Sequence, residues 1–211
     1  MLDVSGHDPV FESQVLGTDV YIVNIKDLSL DDPWSDVRMP IFMMTYDSVE
    51  AFRDFIGLVK IDADIEESVV DFRTIAYFSP TLFGNRLILD VKSGGFEGTV
   101  DDFFVKKIQV ASKAGGFEGT ITGRMTGIPE IEQTSIDARI NDFKLTSAGL
   151  SHFVSEWMRE GCLDLGHMAP GTTFKVTAHA SGPLNNLAID TDIRSAIGQV
   201  DGNIRLDDLI A

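Results

Sequence analysis

Gly94-Gly95-Phe96-Glu97-Gly98-Thr99 returns, residue for residue, 21 positions later as Gly115-Gly116-Phe117-Glu118-Gly119-Thr120. Between the copies, Phe103-Phe104-Val105-Lys106-Lys107-Ile108-Gln109-Val110 alternates in the manner of a strand. A unit this short, marked by glycine and strand-like, is too small to bury an apolar face by itself. It reads as one rung of a stacked β array, in which neighbouring rungs cover one another. The paired glycines lack the Lys-Ser/Thr that a phosphate cradle needs, so they mark strand ends or bulges.

The same period-2 pattern runs outward in both directions. Upstream, Tyr21, Val23 and Ile25 share one face, and Ile61, Ala63 and Ile65 alternate with Asp62, Asp64 and Glu66. Downstream, Ile121, Gly123 and Met125 alternate with Thr122 and Arg124, and Ile136, Ala138 and Ile140 with Asp137 and Arg139. Phe174, Val176, Ala178 and Ala180 follow, then Leu187, Ile189 and Ile193, then Gly198, Val200, Gly202, Ile204 and Leu206. Two helices are expected: Ser48–Ile56, with Ser48 as N-cap and Gly57 as stop, and Ser147–Met158, ended by Gly161. Asp31-Asp32-Pro33-Trp34 is a turn, and Thr74–Phe78 could form one helical turn before Pro80. A second, looser echo aligns Gly98-Thr99-Val100-Asp101-Asp102-Phe103 with Gly182-Pro183-Leu184-Asn185-Asn186-Leu187. In both, Asp or Asn suits a turn between two strands.

The fold class is therefore all-β and mainly antiparallel, since helices are missing between most strands. Alternation alone leaves two closures open: an elongated sheet folded into a groove, or a β-sandwich with a sealed core. Residues 1–60 form a first part and 61–211 a repetitive part continuous with it.

The composition narrows the function. Apolar content is 44% and charged content 24%, ordinary for a folded chain. Seventeen Lys and Arg against 33 Asp and Glu give a formal charge of −16, spread along the chain. Such a surface repels nucleic acid and anionic headgroups. The single cysteine, Cys162, excludes an internal disulfide and fits a small buried side chain. No apolar run reaches transmembrane length, and no signal peptide opens the sequence.

Catalytic constellations are sparse. His7, His152, His167 and His179 share no metal-ligand spacing, and His179 falls on the polar face of its strand. Asp31-Asp32, Asp101-Asp102 and Asp207-Asp208 are sequence neighbours, which on a strand point to opposite faces and cannot share a proton. Glu97 and Glu118 occupy equivalent repeat positions and could be read as a glycosidase pair, although duplication of the unit explains them as well. No cofactor is implied. What remains is the apolar face, with Ile121, Met125, Ile136, Ile140, Phe174, Val176, Ile189, Ile193, Val200 and Ile204 as its candidate binding residues.

One stretch carries a family likeness. Ser68-Val69-Val70-Asp71-Phe72-Arg73-Thr74-Ile75-Ala76-Tyr77-Phe78-Ser79-Pro80-Thr81-Leu82-Phe83-Gly84 is followed by Gly98-Thr99-Val100-Asp101-Asp102-Phe103, Phe117-Glu118-Gly119 and Thr126-Gly127-Ile128-Pro129-Glu130-Ile131. This order resembles the AsmA-like/TamB (translocation and assembly module) proteins of Gram-negative bacteria, particularly the Bacteroidetes type, over about Ile61–Leu206. The resemblance implies a long sheet folded over an apolar concave face. It further implies an inner-membrane anchor, a periplasmic location, and a role in outer-membrane biogenesis as a phospholipid bridge or in outer-membrane protein assembly with a barrel partner. On this reading the chain is an internal piece whose partners would be phospholipid acyl chains and, through parts beyond it, such a barrel. No catalytic motif comes with the family.

Overall fold

A computed structural model of the protein describes residues 3–15, 19–74, 88–112, 116–128, 130–149 and 171–207. Eleven strands form one sheet: β1 (Asp3–Val15), β2 (Asp19–Asp31), β3 (Asp36–Tyr46), β4 (Lys60–Asp71), β5 (Ile88–Gly98), β6 (Asp102–Ser112), β7 (Phe117–Thr126), β8 (Ser135–Thr146), β9 (Thr173–Pro183), β10 (Asn186–Ser195) and β11 (Gly198–Asp207). Every neighbouring pair is antiparallel, and strand order in space equals order in the chain. The all-β, antiparallel expectation holds. The sheet is curled and unclosed. A sandwich would need a second sheet, and the described residues contain one only.

Helical structure is short. A 3₁₀ segment, Val49–Asp54, runs into α1 (Phe55–Leu58), whose first turn is capped by the Asp54 carboxylate accepting from the Gly57 N–H at 3.2 Å. Ser48 stands at the expected N-cap position but makes no side-chain cap bond. A second 3₁₀ turn, Ile131–Gln133, lies between β7 and β8. The expected helix at 147–158 and the turn at 74–78 fall almost wholly outside the described residues, as do Cys162, His152 and His167.

The curl has a visible cause. Asp27, Glu67, Lys107 and Asp142 take φ of 52°, 25°, 36° and 52°, one on each of β2, β4, β6 and β8. The register slips beside Glu67, Lys107 and Asp142. Asp27 lies between the pairs Lys26↔Ile41 and Leu28↔Met39, facing Pro40, which has no N–H to give. A bulge bends its strand and increases the local twist, so bulges on alternate strands crease the whole sheet. The β9–β10 and β10–β11 ladders have no such slip.

The sheet ends are tied. The Asp32 carboxylate accepts from the Trp34 and Ser35 N–H groups, both at 2.7 Å, and from the Thr74 hydroxyl at 2.8 Å, joining the β2–β3 turn to the end of β4. Beside it Asp71 is fully buried. Burial acts to raise its carboxyl pKa, but the Arg73 guanidinium, which also lies 5.4 Å over the Trp34 ring, outweighs that and holds it below the usual carboxylate range. At the opposite end, the Asp101 N–H donates to Ile56 O (3.1 Å), Gly127 N–H to Asp101 O (2.8 Å) and Leu184 N–H to Thr134 O (3.0 Å). Successive turns are thus linked to each other.

Candidate functional site

In an antiparallel ladder, directly opposed residues share a face. The register pairs Met125 with Ile136, Ile121 with Ile140, Val176 with Ile193, Ile193 with Val200, and Ile189 with Ile204. Phe174 pairs with Leu145, two residues from Val176 on the same strand. All ten residues expected from the sequence therefore lie on one face of β7–β11. Phe174 is buried. Val200 and Ile204, on the edge strand, are 62% and 48% exposed. The remaining seven are half-buried.

The face extends well beyond those ten. Phe103 and Val105 pair with Met125 and Gly123, and Gly98 and Phe96 pair with Phe103 and Val105 in turn. The chain of pairs continues through Ile61 and Ala63 to Met44 and Phe42, then to Val23 and Ile25. Two clusters pack along it. In the first, Leu28, Met39 and Ala63 are buried with Phe42, Ile61 and Phe96 against them. In the second, Phe117, Leu145 and Phe174 are buried with Phe143, Val176 and Ile193 alongside. The N-terminal half was only partly visible beforehand, because Ile41 and Met43 of β3 are apolar yet face the other side. Ile41 is 47% exposed there. At one end of the face a cavity of about 280 Å³ is walled by Ile61, Phe96, Val100 and Phe103. Near it Tyr21 stacks on Tyr46 and Phe52 meets Tyr46 edge-on, with Val49, Phe52, Ile56 and Leu58 exposed.

The opposite face is polar and held by cross-strand pairs. Lys106 Nζ lies 2.5 Å from Asp62 and within 4 Å of Glu97 and Asp64. Partial burial acts to lower this ammonium, and the three carboxylates raise it beyond that. Arg124 grips Asp102 with two nitrogens and holds its carboxyl below the usual carboxylate range. Glu118 accepts from Lys144 at 2.7 Å, and His179 Nε2 lies 2.7 Å from Asp137, on the polar face where it was expected. Such exposed pairs contribute little stability each. They do fix which side faces water.

The two glutamates of the repeat do not form a catalytic pair. Glu97 shares a row with Phe104 and, on β7, Arg124. Glu118 lies six residues before Arg124 on that strand, about 20 Å from that row at ~3.3 Å per residue. Glycosidase carboxylates stand about 5–9.5 Å apart. Nor are the two copies equivalent rungs. The first closes the C-terminal end of β5 and the second opens β7 at the opposite end of the sheet. Both place phenylalanine on the apolar face and glutamate on the polar one.

Among the described residues no group of three or more His, Cys, Asp or Glu could hold a metal, and no helix is long and apolar enough to cross a membrane. The sequence matches no protein-family model, and no curated protein or solved structure matches it.

Proposed function

We propose that this chain is a segment of an AsmA/TamB-like periplasmic protein of outer-membrane biogenesis that carries phospholipid along its apolar face. The observation that supports the reading is a single sheet with one apolar side running from Val23 to Ile204 and no second sheet over it, among the described residues. Acyl chains lying on that side leave water at about 0.8 kcal/mol per methylene, while headgroups stay solvated at the rim. The process is passive: it uses the face and the curl, with no reacting group. A sealed structural module is the competing reading, and the lack of a second sheet over the half-buried Ile121, Met125, Ile136 and Ile140, among the described residues, favours the open face over it.

The test uses the protein expressed in bacteria and purified without detergent. Native mass spectrometry should show co-purifying phospholipid, and a photo-crosslinking residue at Val200 or Ile204 should capture it. Replacing Met125, Ile140 and Val176 together by Asp should abolish capture while circular dichroism still reports a folded sheet. Lipid-free protein with no crosslink would overturn the proposal. So would a triple variant that unfolds while wild type carries no lipid.

A further inference from the structure

The register sets Lys144 of β8 directly opposite Lys175 of β9, and Lys175 directly opposite Arg194 of β10. Like charges so placed have Cβ atoms about 5 Å apart and destabilise a sheet. The row is the more unexpected in a chain with 33 carboxylates to 17 Lys and Arg, where a carboxylate partner is always the commoner choice. Carboxylates relieve only its two ends. Glu118 takes Lys144 at 2.7 Å and Asp192 takes Arg194 at 2.6 Å, while the Lys175 side chain makes no ion pair or hydrogen bond with a described residue. The three cations line an open depression of about 380 Å³, together with Asp142, Thr177 and Asp192.

We propose that this row binds one phosphate group. Lys175 sits at the centre with three free N–H donors. Lys144 keeps two beyond the one given to Glu118, and Arg194 keeps the Nη1 donors that Asp192 does not use. Charge-assisted bonds from ammonium and guanidinium to phosphate oxygens are short and strong, and an anion there would relieve the repulsion built into the row. The carboxylates of Asp142 and Asp192 on the rim restrict the site to a single phosphate and disfavour a polyanion. Such a group arrives free in solution or on a lipid headgroup. The site lies on the polar side of the sheet and does not depend on how the apolar side is used.

The test titrates the full chain with inorganic phosphate against chloride at constant ionic strength, following the amide signals of residues 144, 175 and 194 and the melting temperature. Saturable shifts at those three residues and a phosphate-dependent rise in melting temperature are expected. Lys175→Met should weaken binding about tenfold or more, as expected for loss of a charged hydrogen-bond donor, and should melt no lower than wild type in chloride. Lys92→Met, on β5 and outside the row, should bind as wild type does. Retention on phosphatidylglycerol vesicles that Lys175→Met abolishes would assign the phosphate to a headgroup. Phosphate binding without vesicle retention would assign it to the free anion. Absence of a saturable shift at the row, or an unchanged response in Lys175→Met, overturns the site.

Discussion

Two pairs of like sequences meet opposite fates in this sheet. The identical hexapeptides that begin at Gly94 and Gly115 diverge: residues 94–98 close β5 at one end of the sheet, and residues 117–120 open β7 at the other. The looser pair, Gly98–Phe103 and Gly182–Leu187, occupies equivalent places: each turns the chain at the same end between two antiparallel strands. Gly98 and Gly182 have φ of 123° and 116°, and a Cβ on either would approach the carbonyl oxygen of the residue four ahead, Asp102 or Asn186, at 2.3 or 2.9 Å. Alternation decides which face a residue takes, because the side-chain period is two. Position along the strand is decided by where the turn falls, and turns depend on backbone conformation more than on identity of letters.

This comparison can be broken in order of effect. Phe117 is buried in the second cluster and stacks on Phe143 at 5.4 Å, whereas its counterpart Phe96 is only half-buried in the first. Phe117→Ala should cost about 3 kcal/mol and Phe96→Ala about half that, read from urea unfolding midpoints at constant slope. Equal losses would mean that the two copies share one environment after all. Next come the glycines that the copies use differently. A Cβ on Gly119 would lie 2.2 Å from Phe143 Cδ2 and 2.8 Å from its Cα, so Gly119→Ala should cost about 2 kcal/mol through overpacking. Gly98→Ala meets both an unfavourable φ and a 2.3 Å approach to the Asp102 carbonyl oxygen, and should also cost about 2 kcal/mol. Phe143→Leu removes the ring but not the 2.8 Å approach to the Phe143 Cα, so it should rescue the first variant only in part and leave the second untouched.

The smallest effect belongs to a glutamate. The hydrogen bond from Lys144 holds the Glu118 carboxyl below the usual glutamate range. A carboxyl depressed in the folded state contributes stability above its unfolded pKa of about 4.3, and loses it as pH falls through the lower folded value. Carboxyl carbon NMR should show Glu118 titrating low and returning upward in Lys144→Met. A midpoint that does not move in that variant would remove Lys144 as the cause.

Much of this architecture was legible as period-2 alternation. The ten apolar positions on β7–β11 could be placed on one face because a face assignment needs only parity, and parity survives errors in strand ends. Four things hid the rest. The bulges at Asp27, Glu67, Lys107 and Asp142 put non-glycine residues at positive φ, which no local letter announces. The run Met39–Met44 is apolar on both sides, so its inward set could not be read. The 21-residue repeat suggested a rung length, yet Phe96 shares its row with Val105 and then Gly123, 27 residues on. And the Lys144–Lys175–Arg194 row exists only through pairing, since 31 and 19 residues separate its members along the chain.

Chain order equal to strand order also governs how the molecule comes apart. Each strand shares its ladder only with its predecessor and successor. A pull between the outermost strands would therefore not shear many ladders at once; it would peel β11 from β10, then the next, one row of bonds at a time. The ties from Ile56 through Asp101 to Gly127, and from Thr134 to Leu184, interrupt that peeling at set points. The sheet has the mechanics of a zip fastened with stops, yielding in steps while the strands behind each stop stay in place.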